Sequence, residues 1–184
     1  LAYAYNIDPI SLLLFRMLFS LPFYVGIYLV HRKKWAADPI TGKQKGALLL
    51  IGVLGYYLAS YFDFRGLANI TASLERLILF SYPTFVLLMS MIYLKKRITK
   101  AQIISILITY TGIAIIFYER GGITAGSREE LISGSLFVFA SALTYAAYLV
   151  GSNALVAKVG SKRLTTYSLM VSCFAVILHY GVTH

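Results

Sequence analysis

The chain has 184 residues, 59% of them apolar and 13% charged, with a mean hydropathy of +0.74. Soluble domains run nearer half apolar and a quarter charged, because their surfaces must face water. This composition excludes a cytosolic enzyme, a secreted disulfide scaffold and a disordered tail, and it describes an integral membrane protein. The single cysteine, Cys173, permits no intrachain disulfide. His31, His179 and His184 show no ligand spacing, so no metal and no cofactor is expected.

A hydrocarbon core about 30 Å thick is crossed by roughly 20 apolar residues in helical form. Six stretches qualify in chain order: 10–30, 46–62 (short, and extendable outward to about residue 66), 72–94, 101–118, 131–157 and 164–182. Residues 1–7 read as the tail of a further span whose beginning is missing. With no initiating Met and an apolar run at the end, the chain reads as a fragment of a longer protein. The runs lack the polar–apolar alternation of a membrane β-barrel. The expected fold is all-α, a polytopic transmembrane helix bundle.

The linkers alternate in charge. Loops 31–45, 95–100 and 158–163 carry +4, +4 and +3, while Asp8, the 63–71 segment and the 119–130 segment carry −1, 0 and −1. By the positive-inside rule the basic loops are cytoplasmic and the others face outward. Topology accounts for nearly all of the net charge of +10. A nucleic-acid partner is therefore not expected.

Three charges fall within spans: Arg16, Glu75 and Arg76. Each costs about 2.5–3.5 kcal/mol on insertion scales, so each asks for a reason. One reading has Glu75 and Arg76 snorkelling to the interface and Arg16 playing a structural part. The other makes Arg16 the cation for an anionic or zwitterionic substrate group, with Glu75 as its cross-helix partner or as a proton-binding site. Glu75 and Arg76, adjacent in sequence, point about 100° apart on a helix and are poorly placed to pair. Pro22 and Pro83 lie inside spans and are expected to kink them. A kink frees a carbonyl that a wet cavity can satisfy, which favours a cavity near residues 80–82. Tyr82 and Tyr145 sit deep enough for their hydroxyls to need partners and are the aromatic cavity candidates. Tyr56, Tyr57 and Tyr61 read as interfacial anchors. Gly52, Gly55, Ala142, Ala146, Ala147 and Gly151 mark faces where helices approach closely.

The run DPISLLLFRMLFSLPF, with Asp-Pro leading a span and Arg16 seven residues after Pro9, resembles the second helix of EamA-type transporters of the drug/metabolite transporter superfamily. ITASLERLILFSYPTFVLLMSMIYLKKRIT resembles their fourth helix, with Pro83 in mid-helix and a basic exit. AQIISILITYTGIAIIFY resembles the fifth, with Gly112 near its end. The resemblance implies ten helices in two inverted five-helix repeats. Residues 1–118 would then be the first repeat, with its first helix truncated. Residues 119–130 would be an extracytoplasmic linker, and 131–184 the start of the second repeat (helices 6 and 7). It also implies movement of a small metabolite, often an amino acid and often outward, by alternating access. Arg16, Glu75, Arg76, Tyr82 and Tyr145 would serve the substrate, with a proton as a candidate coupling ion and membrane lipids as surroundings. The chain departs from the family pattern at Lys95-Lys96-Arg97, where Gly-Glu-Arg/Lys is common, and at Glu75-Arg76, where small or polar residues are usual. A rival reading is a non-transporting scaffold or sensor. An intramembrane enzyme would need a nucleophile and base or paired ligands at membrane depth, and no such motif is present.

Overall fold

In a computed structural model of the chain, residues 8–95, 97–119 and 127–183 are described, the side chains of 116–119 excepted. The sequence-expected span tail at 1–7 and the middle of the 119–130 linker lie outside the described residues. Short polar residues start the helices by accepting amide protons that have no carbonyl four residues back. Asp8 caps α1 (Pro9–Ala37) by accepting from the Ile10 amide at 3.0 Å, and Pro9 occupies the first turn, where a missing N–H costs nothing. Thr41 and Gln44 form a reciprocal capping box at α2 (Gly42–Gly52). Thr71 caps α4 (Ala72–Leu79), and Ser127 with Glu130 forms a second box at α7 (Arg128–Val159).

These caps make the spans longer than hydropathy alone suggests. The span expected at 46–62 runs continuously over Gly42–Leu67, as α2, a π-helical turn at Val53–Leu58, and α3 (Ala59–Leu67). A π turn shifts hydrogen bonding from the fourth to the fifth residue and leaves backbone groups to be satisfied from outside. Two serines do so at its edges. Ser172 Oγ donates to the Gly52 carbonyl at 2.6 Å, and Ser141 Oγ donates to the Ala59 carbonyl at 2.8 Å.

The two span prolines behave differently. Helix α1 runs through Pro22 without a break. The 72–94 span is divided at Phe80 and Ser81 into α4 and α5 (Tyr82–Leu94), with Pro83 in the first turn of α5. Proline has no N–H to offer the preceding turn, and Ser81 Oγ is buried there without a partner among the described residues. Lys95 ends α5 in the left-handed region at φ 51°. Helix α6 (Lys100–Glu119) follows, and Thr84 of α5 shares a 2.9 Å hydroxyl hydrogen bond with its Tyr110. Gly160, at φ 81°, is the single residue between α7 and α8 (Ser161–Thr183), a conformation glycine adopts without a Cβ penalty.

Every described element is helical, and five helices are long and apolar enough to cross a membrane; over its described side chains α6 supplies a shorter apolar helix, Lys100–Ile115. The chain is therefore an all-α polytopic membrane protein. Helix α7 is the axis, packing against α2, the π turn, α3, α4, α5 and α8, while α1 lies along α8. Small residues permit this. A Cβ on Gly66 would lie 2.8 Å from the Gly134 carbonyl oxygen, and one on Gly134 would lie 3.0 Å from the Gly66 oxygen. The backbones of α3 and α7 thus touch at the paired glycines, which is how membrane helices gain packing energy without a hydrophobic force between them. Outward faces carry large apolar side chains such as Phe19, Phe23, Ile104 and Leu107.

Candidate functional site

A cavity of about 280 Å³ opens among α1, the π turn, α3, α4, α5 and α7. Its walls bring together Arg16, Tyr56, Ser60, Asp63, Tyr82, Ser141 and Tyr145, with Gly55, Ala59 and Leu79 filling between them. Arg16 lies about 10 Å along α1 from its first residue, at 1.5 Å per residue. The side chain is exposed to the cavity, and among the described residues it forms no ion pair.

The aromatic wall is a continuous series. The Tyr82 and Tyr145 rings meet edge to face with centroids 5.3 Å apart, Tyr145 stacks on Tyr148 at 5.8 Å, and Tyr148 meets Tyr56 at 5.1 Å. The Tyr148 hydroxyl donates to that of Tyr56 at 2.9 Å. Gly55 makes the last contact possible, because the Tyr148 ring lies directly where a Cβ would stand. A series of rings ending in hydroxyls gives an apolar face with polar points, the composition of small-molecule sites.

Asp63 was not singled out as a site residue: the sequence placed it at the outer edge of the 46–62 span, within reach only of that span's outward extension to about residue 66. Helix α3 continues to Leu67, and this places Asp63 within the bundle. Its carboxyl group faces that of Glu75 on α4 and lies in the electrostatic field of Arg16 and Arg76. One oxygen, Oδ1, is buried without a hydrogen-bond partner among the described residues. Glu75 itself is 5% exposed and is not part of the cavity wall. The sequence offered Arg16 and Glu75 as a cross-helix pair. In the structure Asp63 stands near both, sharing the cavity with Arg16 and facing the Glu75 carboxyl group. Arg76 Nε lies 3.9 Å from Glu75 Oε2, at the limit of an ion pair, and its side chain is 73% exposed. It does not reach the cavity.

Two other residues depart from the sequence expectation. Tyr56 belongs to the cavity wall, and Tyr57 hydrogen-bonds His179 Nδ1 of α8 at 2.7 Å. The only sequence sign of these roles was that their helix also carries Gly52 and Gly55.

The described residues thus form a bundle of apolar spans around a tyrosine-walled cavity, the class of a polytopic membrane protein. The chain belongs to the EamA-like transporter family, whose pattern matches residues 1–118. It is 31% identical over 184 residues, 98% of the chain, to the uncharacterised transporter YcbK of Bacillus subtilis, covering 57% of that protein. It is 25% identical over 149 residues to an uncharacterised transporter of Archaeoglobus fulgidus, 81% of the chain and 49% of the relative. The chain thus spans about half the length of these relatives. No solved structure matches it closely enough to report.

Proposed function

We propose that the whole protein exports a small zwitterionic or anionic metabolite, an amino acid or a related compound, across the plasma membrane of a bacterial cell. The observation that carries this reading is the presence of Arg16 and Asp63 on the walls of one cavity, beside the Tyr82 and Tyr145 rings. A guanidinium can take a carboxylate by two parallel hydrogen bonds. Asp63 can take an ammonium group, and the tyrosines can hold the apolar part between them. Such opposed charges inside a membrane are costly unless a substrate pathway uses them.

In this reading the second five-helix repeat completes the cavity, and the two repeats rock about it in alternating access. Loops 31–45, 95–100 and 158–163 face the cytoplasm. The juxtaposition of Asp63 and Glu75 supports a coupling role, since two carboxyl groups side by side can hold one proton between them. A substrate ammonium arriving at Asp63 would displace that proton. The family also supports a carrier over an enzyme.

The test is counterflow of labelled amino acids and related metabolites into liposomes containing the full-length protein, with Arg16→Ala alongside. Saturable counterflow that falls at least about tenfold in the variant, the loss of one charge-assisted contact, is the expected result. Counterflow unchanged in the variant removes Arg16 from the pathway. Absence of counterflow with every substrate, from protein shown to be folded, favours the scaffold or sensor instead.

A further inference from the structure

The basic residues at the junction of α7 and α8 were expected to be simple loop charge, but Arg163 is 5% exposed. Its Nη1 donates to the Asp38 carbonyl at 2.8 Å and its Nη2 to the Trp35 carbonyl at 2.9 Å. Its guanidinium carbon also lies 5.9 Å from the Trp35 ring centroid. Arg163 therefore covers the carbonyl-rich, negative end of α1. At the same place α8 begins at Ser161, directly after Gly160, which has no side chain with which to cap the first amides. A negative helix end is thus covered, and among the described residues no side chain accepts from the first amides of α8.

Two cavities meet at this junction. One, of about 420 Å³, is lined by Lys34, Lys162, Arg163 and the Gly160–Ser161 turn. Asp38 also lines it, 3.5 Å from Arg163 Nη1. Arg163 retains one buried donor, Nε, without a partner among the described residues. The second cavity, of about 330 Å³, shares His31, Ser161 and Lys162 with the first and continues as an apolar groove along α1 and α8, past Tyr24, Ile27 and Thr165. His31 is engaged through Nδ1 with the Ile27 carbonyl at 3.0 Å.

We propose that this pair of cavities is a binding site for one anionic phospholipid. The phosphate sits at the open first turn of α8 between Lys34 and Lys162, and an acyl chain lies in the groove between α1 and α8. Both the charge and the shape select this occupant. The head cavity has three cations against one paired carboxylate, and an apolar channel leaves it along the spans, where a soluble anion would have nothing to place. Basic pockets at the ends of membrane helices take lipid head groups on the same physical ground. The bound lipid would join α1 to α8, and so the first repeat to the second.

The test uses full-length protein in neutral detergent, with phosphatidylglycerol, phosphatidylcholine or glycerol phosphate titrated and binding read by native mass spectrometry. The expected order is phosphatidylglycerol well above both others. Lys34→Gln with Lys162→Gln should weaken phosphatidylglycerol about 25-fold, at about fivefold for each lysine near a lipid phosphate. Ile27→Trp, which fills the groove, should weaken the lipid and leave glycerol phosphate unchanged. Lys95→Gln, a basic residue at another loop, should change nothing. Equal binding of phosphatidylglycerol and phosphatidylcholine would overturn the proposal, as would full retention of phosphatidylglycerol by the double variant. Glycerol phosphate binding as tightly as the lipid would show a soluble-anion site and also overturn it.

Discussion

The Tyr148 hydroxyl donates to the Tyr56 hydroxyl at 2.9 Å, so α7 holds the π-helical turn through a contact that also closes the cavity wall. The ring beneath that hydroxyl rests on Gly55, where a Cβ would stand 2.9 Å from the Tyr148 Cβ and closer still to the ring. The wall is thus built from a tyrosine and the absence of a side chain opposite it.

Separating these two parts gives a clear expectation. Tyr148→Phe removes one interhelical hydrogen bond, worth about 0.6 kcal/mol on average between membrane helices. Gly55→Ala forces the ring or the helix to move, and overpacking of this kind costs about 1–3 kcal/mol. Thermal unfolding in detergent should therefore show a small loss for Tyr148→Phe and a larger one for Gly55→Ala. An alanine variant as stable as the parent would mean that α7 and the π turn do not pack as described.

Arg163 supplies two hydrogen bonds to the end of α1 from the start of α8. Arg163→Ala leaves the Trp35 carbonyl without this donor and removes the cation from the Trp35 and Tyr167 rings. Hydrogen bonds to charged groups contribute about 1.5–3 kcal/mol each, so the alanine variant should lose at least about 2 kcal/mol. Arg163→Lys should recover part of this, because an ammonium group can reach one carbonyl but not fork between two. Equal stability of the Ala and Lys variants would show that the fork contributes nothing.

The Asp63–Glu75 contact makes a prediction about coupling that is separate from substrate binding. Glu75 is buried behind the cavity wall, so Glu75→Gln should leave counterflow within about threefold of the parent while uptake driven by a pH gradient loses its dependence on that gradient. Asp63→Asn removes the carboxylate that faces the cavity and should reduce both activities. Transport by Glu75→Gln that still follows the gradient would dissociate this pair from proton movement.

Much of the architecture could be read without coordinates. Apolar runs located the spans, and the start of each capped helix is written in Asp8-Pro9, in Thr41 with Gln44, in Thr71, and in Ser127 with Glu130. Pro83 marked the division between α4 and α5. Arg16, Tyr82 and Tyr145 were singled out by charge or by a deep hydroxyl, and all three line one cavity. Asp63 was passed over because it falls in the outward extension of its span, to about residue 66, where a charge reads as part of a connecting loop.

What the sequence determined by itself is the membrane class, the approximate position of the apolar helices, and the alternation of charge between loops. These depend on each residue's own transfer from water to hydrocarbon and need no neighbour. Which face of each helix turns inward was decided by tertiary structure alone. Lipid tails and a helical interior are about equally apolar, so no periodicity of hydrophobicity separates them, and facing is set by where glycines allow backbones to meet. The π turn then shifts the phase of its helix, bringing Tyr56 and Asp63 to the cavity and Tyr57 to His179. The burial of Arg163 is of the same kind: its partners are carbonyls more than 120 residues away, fixed in place only when α1 lies along α8.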